Sequence, residues 1–254
     1  MISMKLCFMT FVCPSWDIKK IVRFAGETDY DGVEIRVDIK HNHQVSTQST
    51  PEQRRLVKKL FNDQGVNVAC IATSVRLACP EPERHQENMN IAKANLELAA
   101  DLGAEVVRIF AGSEIPALTD EAADQIGMAF DELGSYANPL GVCPMLECGH
   151  DIIKGAAEAD AVIRRVKSGN FGALWNHSQI DDQAFSVVKD RIRHFHVHDE
   201  VLDQGNKNLL ELAKRMKSVD YRGYVSLEII KKKDLPEELL TETATRLKQL
   251  IVQA

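Results

Sequence analysis

Short apolar runs and longer helix-patterned stretches alternate eight times along this chain, and that alternation is the signature of linked βαβ units around a parallel sheet. The apolar runs fall at 4–10, 31–37, 66–73, 105–110, 141–148, 171–176, 191–198 and 224–230. Helical patterns lie between them near 17–27, 51–65, 83–102, 119–138, 153–168, 181–189, 206–218 and 235–253. Eight such pairs close a (β/α)8 barrel, and the 254 residues present match the roughly 250 such a barrel takes. Runs such as VEIRV and EVVRIF carry one polar residue near the end of a buried stretch, which suits a packed interior below a functional rim. The first and last elements are ordinary βα units and no low-complexity linker interrupts them. A single domain over 1–254 is therefore expected.

Local signals agree with this frame. Thr50-Pro51-Glu52-Gln53 reads as a helix start, with Thr50 as cap, Pro51 in the first turn and Gln53 completing a capping box. Gly103 follows NIAKANLELAADL, where Ile91, Leu98 and Leu102 are expected to share a face and the glycine to end the helix left-handed. The opening MISMKLCFMTFVCP lacks a basic leader and an A-x-A site, so it reads as the first strand. No apolar stretch approaches the roughly 18 residues of a membrane span. Cys7, Cys13, Cys70, Cys79, Cys143 and Cys148 form no CxxC pair and mostly lie in or beside apolar runs, as buried thiols of a cytoplasmic protein do. Lys plus Arg number 31 against 37 Asp plus Glu, a net charge of −6 that provides no footprint for nucleic acid.

Chemistry concentrates at the ends of the last four runs. Glu147 closes GVCPMLE, Asn176 closes FGALWN, His196 lies in RIRHFHVHDE, and Glu228 closes GYVSLE. The active site of a (β/α)8 barrel forms where its strands end, so these four residues converge. Two carboxylates and an imidazole suit Mn²⁺, Mg²⁺ or Zn²⁺ with positions open for substrate. A single strand-end glutamate is as readily a rim ion pair; recurrence at equivalent positions is what favours a metal centre. In HFHVHDE, His194, His196 and His198 alternate and share a face, with Phe195 and Val197 on the other. His196 is the expected ligand, His198 stands higher towards substrate, and His194 reads as a polar strand residue. Glu34, Arg36, Arg108 and His150 are candidate substrate contacts near strand ends, each with a structural ion pair as its alternative. Arg76, in an expected loop, is a weaker candidate. Lys231, Lys232 and Lys233 follow the last strand, where barrels often grip phosphate, although no glycine-rich cradle accompanies them.

TFVCPSW, DYDGVEIRVD, LAADLGAEVVRIFAG, PMLECGHD, HFHVHDE and YRGYVSLE together resemble the xylose isomerase-like barrel superfamily of sugar phosphate isomerases and epimerases, over nearly the whole chain. The resemblance implies a metal held by Glu on strand five, Asp on strand six, His on strand seven and Glu on strand eight, here Glu147, Asn176, His196 and Glu228. Strand six departs from the pattern. Asp-x-x-His is replaced by Asn176-His177-Ser178-Gln179, so the ligand there is neutral, and His177 is an alternative only after a register shift. His198 stands where relatives often have Lys. The implied chemistry is proton transfer beside a carbonyl of a small carbohydrate through an enediolate, with Glu147 and Glu228 as the acid and base.

Three other readings stay open. A lyase would expel a β-hydroxyl from the same enediolate. A nuclease of the AP-endonuclease branch would need more histidines and a basic face, which the acidic balance opposes. A barrel altered at Asn176 can also bind a ligand without turnover. Barrels of this type often pair, so a homodimer is the expected assembly.

Overall fold

In the computed structural model, which describes residues 4–112, 115–177, 179–202 and 208–254, eight parallel strands close on themselves in chain order. They are β1 (Lys5–Met9), β2 (Gly32–Arg36), β3 (Asn67–Arg76), β4 (Val106–Phe110), β5 (Cys143–Cys148), β6 (Gly172–Asn176), β7 (Ile192–Val197) and β8 (Tyr224–Leu227). Each pairs with the next, and β8 pairs with β1, leaving no free edge. The helices between them are α1 (Ile18–Gly26), α2 (Pro51–Asp63), α3 (Pro82–Leu102), α4 (Asp120–Ala137), α5 (Ala156–Ile163), α6 (Asp182–Val188), α7 (Asn208–Lys217) and α8 (Glu237–Gln253). The expected (β/α)8 barrel is the observed one. Residues 206 and 207 of the seventh expected helix, and Ser178, lie outside the described residues.

Helix α2 starts as its sequence requires. The Gln53 N–H donates to Thr50 Oγ1 at 3.2 Å and the Thr50 N–H donates to Gln53 Oε1 at 2.7 Å, a reciprocal capping box. Gly103 ends α3 at φ 82°, a left-handed conformation that only glycine adopts without strain. Three local expectations change. Ile91 is 37% exposed, because the buried stripe of α3 runs through Met89, Ala92, Leu96 and Ala99, and Ile91 lies about 100° round from Ala92. Helix α5 is shorter than its pattern: Gly155, whose N–H donates to Glu158 Oε2 at 3.0 Å, delays its start, and His150 and Ile153 bridge before it. Arg76 ends β3 rather than lying in a loop, with its guanidinium carbon 5.0 Å from the Phe110 ring centre.

The period-two alternation of each strand sorts its side chains. Phe8, Val33, Ile71, Val107, Leu146 and Phe195 join the layer between strands and helices. Cys70, Val106, Met145 and Leu174 form a separate apolar cluster inside the barrel. Two residues further along three of those strands come Arg108, Glu147 and Asn176, all buried. The barrel interior thus has an apolar floor and a polar storey above it, nearer the carboxyl ends of the strands. All six cysteines are free, five of them buried. Among the described residues, no helix is long and apolar enough to cross a membrane.

Candidate active site in the barrel mouth

A chain of alternating carboxylates and imidazoles runs up the interior. His194 Nε2 lies 2.9 Å from Glu34 Oε2, and His196 Nε2 lies 3.1 Å from both oxygens of the same carboxylate. The other face of the His196 ring turns to Glu228, with Nδ1 3.0 Å from Oε2 but out of line for a hydrogen bond. His198 Nε2 lies 3.1 Å from that same Glu228 oxygen. Register explains the last contact. His196 pairs with Ser226, so His198 and Glu228, each two residues on, end their strands side by side, and the Glu228 N–H donates to the Val197 carbonyl at 2.9 Å.

Burial alone would raise the Glu34 carboxyl, but the charges of His196 and His194 and their hydrogen bonds hold it well below the usual range. Burial opposes charge on His196, yet Glu34 and then Glu228 push its pKa up to about 10. Glu228 is held well below the usual carboxylate range: its burial is outweighed by the adjacent charge of His196 and the hydrogen bond of His198. His196 thus lies between two carboxylates, and a metal at Nδ1 would compete with a proton for that nitrogen.

Glu147 faces a different set of partners. Arg108 Nη1 lies 3.0 Å from Glu147 Oε2, both side chains almost wholly buried, and the Asn176 amide NH₂ donates to Glu147 Oε1. The Arg108 guanidinium stacks on Phe110, 3.9 Å from its centre. His150 stands at the rim, half-exposed, with Nδ1 4.0 Å from Glu147 Oε1. Three buried acceptor atoms here have no hydrogen-bond donor: Glu147 Oε2, Asn176 Oδ1 and His196 Nδ1. Asn176 Oδ1 is left without a partner, the other two meet a charged neighbour at 3.0 Å without a hydrogen bond, and carboxylate, amide oxygen and imidazole nitrogen are what a divalent cation binds, so these residues fit one. Ligand atoms of His196, His198 and Glu228 all lie within 4.8 Å of one another, a group from which Glu147 is absent. Cys7, Glu34 and His194 also converge. There the carboxylate is already taken by two imidazoles, and burial pushes the Cys7 thiol well up, so that trio is packing.

Two expected substrate contacts are placed elsewhere. Glu34 is fully buried beneath the mouth with both oxygens on imidazoles. Arg36 is turned aside to tie β2 to β3, donating to the carbonyls of Val37 and Ala72, the latter at 3.0 Å, and to Ser74 Oγ at 2.6 Å. Arg108 is buried against Glu147, while His150 and His198, both partly exposed, stand beside Glu147 and Glu228. His194 is wholly buried on Glu34 rather than a polar residue at a strand end. His177 is exposed, its ring 6.2 Å from that of His198, while Asn176 points inward. Of the lysine run, all exposed, Lys233 turns its ammonium to the Phe11 ring, 3.9 Å from the centre.

The sequence reading missed a second histidine pair. His41 and His43, in the loop after β2, meet Thr10 Oγ1 at 3.4 and 3.5 Å, and Thr10 Oγ1 accepts the Arg36 N–H at 3.0 Å. The visible signal was HNH a few residues after a strand. The Val45 N–H donates to His43 Nδ1 at 3.1 Å, which requires that nitrogen unprotonated. Burial, then His41, pushes His43 down to about 4; burial, then Arg36 and Lys233, does the same to His41. An unfolded imidazole titrates near 6.5, so the unfolded chain takes up these protons first as pH falls. Stability is therefore whole above about pH 6.5 and is lost down to about pH 4, by up to about 3 kcal/mol for His43. Urea midpoints across that window should fall less steeply in His43→Asn, and an unchanged pH slope would clear His43 of the effect.

A closed (β/α)8 barrel with an enclosed acid–imidazole centre at its carboxyl-terminal mouth is a familiar class of protein. Within it, this chain belongs to the xylose isomerase-like TIM barrel family, which matches residues 22–250. No curated protein matches it. Among solved structures it is similar to 3-keto-D-glucoside 4-epimerase from E. coli, at 17% identity and a TM-score of 0.79, covering 97% of this chain and 99% of that one. It is also similar to D-psicose 3-epimerase from Clostridium cellulolyticum H10, at 14% identity and 0.80, with 98% and 99% covered. D-allulose 3-epimerase from Methylomonas sp. matches at 17% identity and 0.77, with 100% and 98% covered. These likenesses are of fold.

Proposed function

We propose that this protein is a divalent-metal-dependent isomerase or epimerase of a sugar, sugar acid or sugar phosphate that works through an enediolate. One observation carries the reading: two buried carboxylates, Glu147 and Glu228, stand three strands apart at one mouth, with Asn176 Oδ1, which no donor reaches, and His196 Nδ1, 3.0 Å from Glu228, beside them. That the similar folds include 3-epimerases and a 4-epimerase of keto sugars supports it. His196, Glu228, Asn176 and Glu147 would hold the metal, which would supply Lewis-acid polarisation of the substrate carbonyl.

The chain's own residues handle the proton. Glu147 Oε1 is occupied by the Asn176 amide, so Oε2, which faces Arg108 without a hydrogen bond, takes the proton from the carbon beside the carbonyl. Arg108, 3.0 Å from that oxygen, positions the carboxylate and balances charge that develops on the substrate. Glu228 works from the other side, and His150 at the rim would bind a hydroxyl group. Return of the proton to the opposite face of the same carbon inverts it; return to the neighbouring carbon isomerises. The neutral Asn176 specifically favours one other reading, a barrel that binds a carbohydrate without turning it over.

Solvent deuterium distinguishes the two. Protein loaded with a divalent metal, incubated in D₂O with a panel of ketoses and keto-glycosides, is expected to incorporate label at the carbon beside the carbonyl. Tight sugar binding with no incorporation across the panel would replace the catalytic reading with the binding one.

A further inference from the structure

The geometry points to His198 as a metal ligand, completing a centre of two imidazoles and one carboxylate with His196 and Glu228 that selects zinc-like cations over the oxygen-seeking Mg²⁺ and Mn²⁺. This rests on the proposal that the mouth holds a divalent cation, and it names which residues bind the cation and what kind of cation it is.

The three ligand atoms already surround one point. Glu228 Oε2 is 3.0 Å from His196 Nδ1 and 3.1 Å from His198 Nε2, and all three atoms fall within 4.8 Å of one another. Atoms each about 2.0–2.2 Å from a zinc ion end up about 3–4 Å apart, so small shifts would seat the ion. The ring of His196 is prepared for this. Its Nε2 faces the Glu34 carboxylate at 3.1 Å, and a proton held there leaves the Nδ1 lone pair for the metal. A carboxylate behind a ligating histidine is the arrangement that fixes tautomer and ring angle at metal centres. Glu34 is therefore a positioning residue, itself held in place by His194 on its Oε2 at 2.9 Å.

Strand geometry brings His198 to the ion. It lies two residues beyond His196 on the same face and directly beside Glu228, which continues the β7–β8 pairing through its N–H to Val197. Its side chain is 18% exposed against 0% for His196, so the third ligand stands on the open side where substrate enters. The opposite wall offers less. Asn176 is uncharged, and Glu147 is shared between the Arg108 guanidinium and the Asn176 amide. His198 thus provides the strong donor that an uncharged Asn176 does not. Imidazole nitrogen favours zinc and its neighbours, whereas Mg²⁺ and Mn²⁺ favour oxygen.

The test is competitive titration of metal-stripped, full-length protein with Zn²⁺, Co²⁺ and Mn²⁺, together with the visible spectrum of the Co²⁺ form, for wild type, His198→Ala, His198→Asp and Glu228→Gln. Circular dichroism checks each fold. The expected result is one ion per chain in wild type, at least about 100-fold weaker Zn²⁺ binding in His198→Ala, and a shifted Co²⁺ spectrum. In His198→Asp the ratio of Zn²⁺ to Mn²⁺ affinity should fall at least about tenfold, because oxygen replaces nitrogen. Zn²⁺ affinity and Co²⁺ spectrum unchanged in His198→Ala but lost in Glu228→Gln would overturn the role of His198 and leave the metal centre standing. An unchanged affinity ratio in His198→Asp would overturn the selectivity. Failure of wild type to bind any of the three ions would overturn the metal centre itself.

Discussion

An Arg108→Ala variant is expected to unfold about 3–5 kcal/mol more easily than the wild type. Arg108 is 1% exposed and Glu147 2%, with 3.0 Å between Nη1 and Oε2. Removing the guanidinium strands a carboxylate in the barrel interior and strips Phe110 of the cation stacked 3.9 Å from its centre. Against a typical total of about 5–15 kcal/mol, that loss is a large share of the stability. Urea unfolding at neutral pH measures it, and Arg108→Met combined with Glu147→Gln should recover most of it, since an apolar and a neutral side chain leave no unpaired charge. A loss below about 1 kcal/mol in Arg108→Ala would mean the pair is solvated and contributes as little as a surface bridge.

The second large effect is on proton transfer. Glu147→Gln and Glu228→Gln are each expected to lower the turnover number for solvent deuterium incorporation by about 10²–10⁴-fold, the usual contribution of a positioned acid or base. The double variant should fall little further than the worse single one, because the two groups act on one intermediate. Metal affinity separates their duties. Glu228 touches both imidazoles through one oxygen, whereas Glu147 is engaged by Arg108 and Asn176, so Glu228→Gln should weaken cation binding far more than Glu147→Gln. Label that persists in the double variant would remove both carboxylates from the chemistry.

Much of the fold was legible because the barrel repeats one local rule eight times. Apolar runs bounded by helix signals do not depend on distant neighbours, so strand positions, the Thr50 capping box and the Gly103 terminus emerged as read. Alternation also told which residues face inward: Glu147, Asn176, His194 and His196 are buried inside, and Phe195 and Val197 pack outward. Ile91 shows the limit of the rule, since helical spacing defines a stripe while the neighbouring elements decide how wide it is.

Parity cannot supply depth or partnership. Glu34 and Arg36 share a face of β2, yet one is sealed under the mouth on two imidazoles and the other is spent on β3. Glu34 meets His194 and His196 across 160 and 162 residues of chain, a meeting set by barrel closure and strand register. The pairing of His198 with Glu228 and the turn of Asn176 towards Glu147 have the same origin. The sequence by itself determined the eight βα units and the polar character of the strand ends, because both follow from local periodicity. Which acid faces which imidazole, and where acceptors are left without donors, was decided only when the tertiary structure brought residues far apart in the chain around one axis.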